Sequence, residues 1–547
     1  MSHHIHRNKF FLTSLVLCIV FSGLTFGNIP TAQPSAGAYT VNGELFDFRY
    51  YPLVEREVLA IFNYLDTIVS SKYLDYGNWS GWNVRPELHG LVHYVLAFMT
   101  YAVSTLFEST PGYRTEYYRQ FAYDLIKRMN TTVEEYGNQS IEYFEWAHPD
   151  YNYDTYYWPN ATDPSGLYIG GFRGPANIMW TGHYALMMTL YERNFHTGEF
   201  TDEISYYIND WNNSLTTDGF GNPQAGGIWG TGMIPCEPYI VFAQCNSIPI
   251  YCTELYDNLY GTNYRPMWDY GLNFMNTVMQ DQYGLFIDGY YVSRPTSTYY
   301  DTNRLPSTIP GPQQSLYKKD GTPKVSSYCD AWALNFLEYT QPDETVHDYP
   351  IFLEHFGREL SGSQMYVIDS YNNPRGFGTF DILGSLFTLP LAKQRGDFVT
   401  RDRVLNFLLS LFNRVWSADG RRMHFDTTAL EPFLQAPIAF GYIWAMTPIS
   451  MVQLAESRPD EFWEYPYISS ADDERIWVYQ ALWDPTKQAF ILNIEVDQTA
   501  TLTFSNFAGQ PVAYSNGRVL TDLTPSADGY TLTLEPGTYN LVIMEGA

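Results

Sequence analysis

Apolar residues recur at the spacing of an α-helix through most of the chain, and this repetition restricts the fold more than any other feature. The segments with this spacing are Val54–Val69, Leu88–Leu106, Tyr117–Met129, Ile178–Tyr191, Ile248–Leu259, Met267–Met279, Tyr328–Tyr339, Ile351–Leu360, Leu383–Leu391, Arg403–Val415 and Ala439–Leu454. The loops between them are rich in Gly, Pro, Asn and Tyr and contain no convincing strand. The pattern predicts a mainly α protein with an (α/α)6-type barrel, a toroid in which inner and outer helices alternate.

The period of the pattern changes between residues 460 and 475. Beyond this point, five segments alternate apolar and polar residues, at 476–483, 489–496, 499–507, 530–536 and 538–545. Turn-forming pairs such as Asn516-Gly517 separate them. We therefore expect a helical catalytic domain at 46–460 and a small antiparallel, β-sandwich-like domain at 465–547.

The first residues resemble a secretory signal. Arg7 and Lys9 precede an apolar stretch from Phe10 to Phe26, which is shorter than the ~20 residues that a membrane-spanning helix needs. We predict a signal peptide at 1–27 and a secreted or secretory-lumen location, periplasmic in a bacterium; the alternative is an uncleaved anchor. Glycosylation sequons begin at Asn78, Asn130, Asn138, Asn160 and Asn212.

Charge and aromatic content narrow the class of partner. The chain has 59 acidic and 31 basic residues and a net charge of −28, which disfavours nucleic acids and anionic membrane surfaces. Aromatic residues make up 17% of the chain, with 47 Tyr. Such side chains can line a pocket for an apolar ligand, and they can equally stack on sugars.

Four of the five cysteines follow the predicted signal peptide, at Cys236, Cys245, Cys252 and Cys329. Glu237 and Gln244 stand next to the first two thiols. A thiol beside a carboxylate and an amide is a usable proton donor or acceptor once its pKa is tuned. The residues alone leave two alternatives open, a disulfide between Cys236 and Cys245 or two buried structural thiols.

The sequence Cys-Glu-Pro at 236–238, followed by Gln-Cys-Asn-Ser at 244–247, resembles the signature of the linalool dehydratase/isomerase family. Further similar segments are 177–187, with a histidine helix, 256–265, 325–332 and 384–389. The resemblance runs from about Val54 to Leu454, and the β region has no counterpart in it. It implies an α/α barrel that removes or moves a hydroxyl group on an isoprenoid alcohol without a cofactor.

The resemblance also implies roles for particular residues. Cys236 and Cys245 would be the catalytic thiols, one acting on the leaving hydroxyl and the other on the carbon-bound proton, and His183 would polarise or relay a proton. Asp66 and Tyr73 would complete the catalytic set from a neighbouring subunit, which implies a homo-oligomer. The implied substrate-binding residues are Tyr94, Glu237, Gln244, Tyr328, Trp332 and Met179.

The chain departs from the family pattern in two loops. The segments Asn138–Gly174 and Asp288–Lys324 are longer, and both are expected to border the pocket, so the substrate need not be linalool. No cysteine lies between Cys18 and Cys236. An additional cysteine pair of the family is therefore missing, and we expect this to affect structure rather than activity.

Three other functional motifs are incomplete or absent: those of a dinucleotide site, a metal site and a serine hydrolase. Gly227-x-x-Gly230-x-Gly232 lacks the spacing and the preceding strand of a dinucleotide site. His89 and His93 are four residues apart, but no third ligand or HExxH motif accompanies them, so we predict no metal site. A Gly-x-Ser-x-Gly elbow is absent, which disfavours serine-hydrolase chemistry.

Two competing functions remain. A secreted carbohydrate-active enzyme, a glycoside hydrolase or lyase on an α/α toroid, would use paired carboxylates, for which the candidates are Asp66, Asp330, Glu237 and Asp381. That reading gives no reason for the two cysteine motifs. A non-catalytic binder of apolar ligands would keep its ligand when Cys236 is substituted and would show no turnover.

Overall fold

The computed structural model describes residues 37–73, 75–76, 92–136, 157–159, 167–169, 178–218, 221–236, 240–287, 289–291, 325–370, 380–428, 434–458 and 463–545. The predicted signal peptide, most of the two expanded loops, Glu237 and His89 lie outside these residues.

Thirteen α-helices occupy the described part of the chain before residue 460. They are α1 (Arg56–Val69), α2 (Val92–Ser109), α3 (Glu116–Tyr136), α4 (Ile178–Phe195), α5 (Thr201–Thr216), α6 (Ala243–Tyr260), α7 (Asp269–Val278), α8 (Ser327–Leu337), α9 (Pro342–Phe356), α10 (Ile382–Gln394), α11 (Phe398–Leu409), α12 (Gln435–Met446) and α13 (Met451–Glu456).

Six of these helices close a ring. Helices α2, α4, α6, α8, α10 and α12 each contact the next, and α12 contacts α2. Odd-numbered helices pack outside: α3 contacts α2 and α4, α9 contacts α8, and α11 contacts α10 and α12. The ring helices are buried nearly all round, as the almost continuous apolar sequence of α12 requires, whereas α5 buries one face.

The ring helices are parallel, with their N-termini at the same end. Phe98, in the second turn of α2, lies at the centre of the ring, with its centroid 4.7 Å from that of Phe387 and 4.8 Å from that of Trp332. It also contacts His183 at 5.4 Å and Phe440 at 6.4 Å. All four neighbours are in the second turns of their own helices, so the second turns meet at one level.

A buried lysine ties α10 to the end of α12. Lys393 Nζ donates to the carbonyl oxygens of Trp444 (2.5 Å), Thr447 (3.2 Å) and Ile449 (2.9 Å). The last carbonyls of a helix lack intrahelical donors, and the Lys393 side chain supplies them although burial lowers its pKa well below the usual value. These hydrogen bonds connect the two helices at the end of the ring opposite to their N-termini.

Residues 467–545 form two antiparallel sheets. The strands are β11 (Tyr467–Ala471), β12 (Ile476–Asp484), β13 (Ala489–Val496), β14 (Ala500–Ser505), β15 (Pro511–Ser515), β16 (Arg518–Asp522), β17 (Thr524–Ser526), β18 (Gly529–Leu534) and β19 (Gly537–Glu545). One sheet has the order β11-β14-β18-β17 and the other β12-β13-β19-β15-β16. The rings of Phe490 and Phe504 meet between the sheets at 5.5 Å. The chain is therefore mostly helical with a C-terminal antiparallel sheet region, as predicted.

An N-terminal hairpin covers the outer face of the second sheet. Strands β1 (Ala38–Val41) and β2 (Glu44–Asp47) pair, and the side chains of Val41, Phe46 and Phe48 pack in one cluster with Ala489, Ile491 and Val542. Strand β13 is consequently buried on both faces. This hairpin was not predicted from the sequence.

The structure corrects several expectations in the helical part. Three short hairpins and one long-range strand pair interrupt it. The hairpins are β3 (Tyr157–Pro159) with β4 (Leu167–Ile169), β7 (Gly357–Ser361) with β8 (Gln364–Val367), and β9 (Asn413–Trp416) with β10 (Met423–Asp426), and the long-range pair is β5 (Ile240–Val241) with β6 (Tyr290–Tyr291). The expected absence of strands was therefore wrong. So were the helix ends predicted at Leu360 and Val415, because both lie in strands.

One predicted helix is divided, and another was missed. The segment Ala439–Leu454 breaks at Thr447, whose backbone is extended before Pro448, and α13 restarts with a capping box between Ser450 and Gln453. Helix α5 escaped notice because its apolar positions are separated by many Asn, Asp and Thr residues. Among the described residues, no helix combines the length and apolar character needed to cross a bilayer.

Candidate active site

Most of the residues implied by the family resemblance lie at one end of the ring. We call the first two turns of α2, α4, α6, α8, α10 and α12 the N-terminal rim. The rim contains Tyr94 on α2, Met179 and His183 on α4, Gln244 and Cys245 on α6, and Tyr328 and Trp332 on α8. Glu237 and other parts of the loops that lead into these helices lie outside the described residues.

Asn246 holds the loop that carries Cys236 against the start of α6. Its amide oxygen accepts from Ile234 N at 2.9 Å, and its amide nitrogen donates to Ile234 O at 3.0 Å and to Phe242 O at 3.0 Å. Helix α4, the neighbour of α6 in the ring, is attached to the same loop, because Ile178 N donates to Pro235 O at 3.1 Å. Cys236 therefore lies where α4 and α6 begin, and Cys245 is the residue before the clamping Asn246.

The glycine-rich stretch before Cys236 has a structural explanation. Gly232 has φ +65°, a conformation that an L side chain rarely adopts, and a Cβ atom there would lie 2.5 Å from Gly271 N on α7. The loop and α7 approach each other through these two glycines. The glycine at position 232 is therefore explained by close packing of the backbone.

His183 is fully buried and has one polar partner among the described residues. The Tyr101 hydroxyl lies 2.6 Å from its Nδ1 atom, and its Nε2 atom has no hydrogen-bond partner. Desolvation, with a smaller contribution from His93, lowers the pKa of His183 well below its usual value, so the ring is neutral at physiological pH. A neutral imidazole can donate or accept a proton at Nε2, depending on its tautomer.

Aromatic rings surround His183. The rings of Tyr94, Phe98 and Trp332 each have their centroids 5.4 Å from the imidazole. Trp332 also packs against Phe387 at 5.3 Å. An environment of aromatic faces suits an apolar molecule, and the electron-rich faces stabilise a developing cation.

All four described cysteines are buried, and no disulfide joins any two of them. Cys329 Sγ donates to Gln244 Oε1 at 2.8 Å, which links α8 to the residue before Cys245. Cys252 lies deeper, with its Sγ 3.3 Å from Thr189 Oγ1, and burial raises its pKa to about 12. Its position separates Cys252 from the two motif thiols, Cys236 and Cys245.

Asp66 and Tyr73 are not brought to the rim. Asp66 lies on the outer helix α1, where it is 4% exposed, and its electrostatic neighbours are Tyr117, Lys72 and Asp124. Burial raises its pKa to about 7. Tyr73 is 43% exposed after the end of α1. Their expected service to a neighbouring subunit stays a prediction.

The carboxylates proposed for glycoside chemistry have other partners. Asp381 caps α10 by accepting from Leu383 N at 3.0 Å and also accepts from Ser327 Oγ at 2.8 Å. Asp330 accepts from Phe286 N at 2.8 Å. In the described part of the chain, no group of three His, Cys, Asp or Glu side chains could hold a metal ion.

A separate cavity of about 320 Å³ lies between the helical region and the sheets. Pro111, Gly112, Tyr465 and Trp483 contribute to its lining. None of the implied site residues borders it, so its position does not support the site suggested by the motifs.

Two residues of the candidate site were missed in the sequence. Tyr101 follows Tyr94 by seven residues and therefore shares its helix face, a signal that could have identified it. Asn246 is part of the Gln-Cys-Asn-Ser motif but was given no role, because its partners are backbone atoms of a loop twelve residues earlier.

Three solved structures show remote similarity. A family 105 glycoside hydrolase of C. acetobutylicum is 10% identical, with a TM-score of 0.40 over 71% of this chain and 99% of that one. An unsaturated glucuronyl hydrolase of a Bacillus species is 10% identical, with a TM-score of 0.40 over 72% of this chain and 93% of that one. A family 127 β-L-arabinofuranosidase of Geobacillus stearothermophilus is 10% identical, with a TM-score of 0.28 over 90% and 80%. These TM-scores are too low to support an argument about fold or function.

The sequence comparison is more specific. The family model described as linalool dehydratase/isomerase matches residues 229–299. This segment contains Cys236, the clamping Asn246 and Cys245. The resemblance to the linalool dehydratase/isomerase family is thus confirmed, over the part of the chain that carries both motif thiols.

Proposed function

We propose that this protein is a dehydratase/isomerase that acts on an isoprenoid alcohol at the N-terminal rim, and that the helix ring is the inner wall of an (α/α)6-type barrel. The observation that carries the proposal is the placement of the family-matched thiols. Asn246 and the Ile178–Pro235 hydrogen bond bring the Cys236 loop, the first turn of α6 and the start of α4 together. His183 stands one turn further along α4.

The proposed reaction begins at the substrate hydroxyl. One thiol gives its proton to the hydroxyl oxygen, the C–O bond breaks and water leaves, so that the thiol becomes a thiolate and the substrate an allylic cation. The other sulfur, present as a thiolate, then takes a proton from the adjacent carbon, and a diene forms. A proton transfer between the two sulfurs restores the starting state.

Isomerisation follows the same path to the cation. Water then adds at the other end of the allyl system and passes a proton to the thiolate, which yields the transposed alcohol. The rings of Tyr94, Phe98 and Trp332 supply electron-rich faces near the cation. Burial of the rim limits the access of bulk water.

A neutral, apolar substrate fits these side chains best. The described rim residues named above are aromatic, thiol, amide and thioether groups, with His183 neutral. We further propose that Tyr73 contributes across a contact between copies of this chain, whereas Asp66, at 4% exposure, is too buried to do so directly. Tyr73 is exposed as such a contact requires.

Gas chromatography of products tests the proposal. Purified protein is incubated under reducing conditions with linear isoprenoid alcohols, alongside Cys236→Ala, Cys245→Ala and, as the matched control, Cys252→Ala. We expect a diene or a transposed alcohol from the wild type and from Cys252→Ala, and none from the other two variants. Release of sugars from polysaccharides, with no turnover of any alcohol, would overturn the proposal in favour of a carbohydrate-active enzyme.

A further inference from the structure

The hydrogen bond between Tyr101 and His183 is not part of the family motifs, and its geometry indicates how His183 is protonated. Both side chains are completely buried, and the hydroxyl oxygen is 2.6 Å from Nδ1. We infer that Tyr101 is a positioning residue that holds His183 in the tautomer with its proton on Nε2, so that His183 donates a hydrogen bond to an oxygen atom of the substrate and does not act as a base.

A count of hydrogen-bonding groups selects this tautomer. If the Tyr101 hydroxyl donates to Nδ1, only the Nε2–H group is left without a protein partner. If Nδ1–H donates to the Tyr101 oxygen instead, the hydroxyl proton and the Nε2 lone pair are both left over, because His183 is the one hydrogen-bond partner of Tyr101 in the described structure. An unsatisfied buried polar group is destabilising, so the arrangement that leaves fewer of them is favoured.

The ionised alternatives are disfavoured by burial. The pKa of His183 is well below its usual range because desolvation penalises the imidazolium, and the nearby His93 acts in the same direction. The pKa of Tyr101 is well above its usual range because desolvation penalises the phenolate, and Cys252 adds to this. Among the described residues, the titratable groups that act on or contact the pair are His93, Tyr94 and Cys252, and none of them is a carboxylate.

The surroundings of Nε2 indicate what it binds. The rings that face the imidazole belong to Tyr94, Phe98 and Trp332, and the Trp332 indole nitrogen can only donate. Because Nε2 has no hydrogen-bond partner in the described structure, we assign its acceptor to a ligand, as the oxygen of an alcohol or a carbonyl group. This inference rests on the proposed function only for the identification of that oxygen as the leaving hydroxyl.

The tautomer determines which step of the proposed reaction His183 can take part in. A base at Nε2 would need a lone pair there, and the hydrogen bond from Tyr101 occupies the only lone pair of the neutral ring. His183 thus orients and polarises the hydroxyl, while removal of the carbon-bound proton falls to a cysteine thiolate.

Nitrogen NMR of protein labelled with ¹⁵N in its histidine rings tests the tautomer directly. The His183 signals are identified by their loss in His183→Asn. We expect a protonated Nε2 and an unprotonated Nδ1, unchanged between pH 6 and pH 8. A protonated Nδ1 in the wild type would overturn the inference, and this measurement requires no variant at Tyr101 to fold and no activity.

Tyr101→Phe tests the positioning role. The matched control is Tyr251→Phe, which removes the hydroxyl of another completely buried tyrosine that donates to Met451 O at 2.7 Å. We expect Tyr101→Phe, and not the control, to give mixed His183 tautomers and a roughly tenfold lower kcat with a smaller change in KM. An unchanged tautomer in Tyr101→Phe would refute the role of Tyr101. A confirmed tautomer without turnover of any isoprenoid alcohol would instead refute the proposed function.

Discussion

Asn246 is the residue whose removal should most selectively disturb the site. In Asn246→Ala, Ile234 N and Ile234 O lose their only described hydrogen-bond partner, whereas Phe242 O keeps the Asn246 backbone amide at 3.1 Å. Two buried backbone groups left unsatisfied cost about 1–3 kcal/mol each. We therefore expect the free energy of unfolding to fall by about 2–6 kcal/mol, and turnover to fall about a hundredfold because the Cys236 loop is displaced.

Two assays separate these effects. Urea unfolding followed by tryptophan fluorescence gives the loss of stability, and mass spectrometry of alkylated peptides gives the rate at which Cys236 reacts. The matched control is Asn335→Ala on α8, which removes hydrogen bonds of 2.7 Å to Ala331 O and to Phe387 O, the second of them between two ring helices. Both carbonyls belong to helices and keep their backbone amide donors. It should cost about 1 kcal/mol and leave Cys236 unreactive. Wild-type stability together with an unreactive Cys236 in Asn246→Ala would refute the clamp.

Three further predictions concern other parts of the structure. Gly230→Ala should lower the free energy of unfolding by about 1–2 kcal/mol, and Gly232→Ala should lower it by well over that amount. Both glycines have positive φ, but only at Gly232 would the new Cβ collide with backbone atoms. Equal urea midpoints for the two variants would contradict this prediction. Because the pKa of Asp66 is raised to about 7, the folded state keeps a proton that the unfolded state releases near pH 4, and this residue lowers the free energy of unfolding as pH rises from about 4 through 7. Asp66→Asn should therefore be more stable than the wild type at pH 8 by up to roughly 4 kcal/mol, with no difference near pH 4. A difference in stability that does not depend on pH would argue against the buried carboxyl. Cys252, with a pKa of about 12 and complete burial, should resist alkylation at pH 8 in the folded protein and react after unfolding, and rapid labelling of the folded protein would show that its environment is open.

The sequence was sufficient for features that depend on local periodicity. The six ring helices and the five longest alternating segments can be recognised in the sequence because each buries a wide apolar surface, and its apolar residues therefore recur at a fixed spacing. The motif resemblance predicted that Cys236, Cys245 and His183 belong to one site, and the closed ring of helices brings the starts of α4 and α6, which carry or adjoin these residues, to the same end.

Long-range contacts explain what the sequence did not reveal. Tyr101 and His183 are separated by 82 residues, and nothing local to either one indicates their pairing. The N-terminal hairpin is stable only against β13 and β19, more than 400 residues later. The short hairpins in the helical region contain too few residues for an alternating pattern to be recognised.

A crystal structure of Cys245→Ala with a bound linear isoprenoid alcohol tests the central claim most directly, since this variant should bind the substrate without converting it. The account predicts a hydroxyl oxygen within hydrogen-bonding distance of His183 Nε2 and a hydrocarbon chain against Phe98 and Trp332. An alcohol bound instead in the cavity between Pro111 and Trp483, with the rim left unliganded, would contradict it.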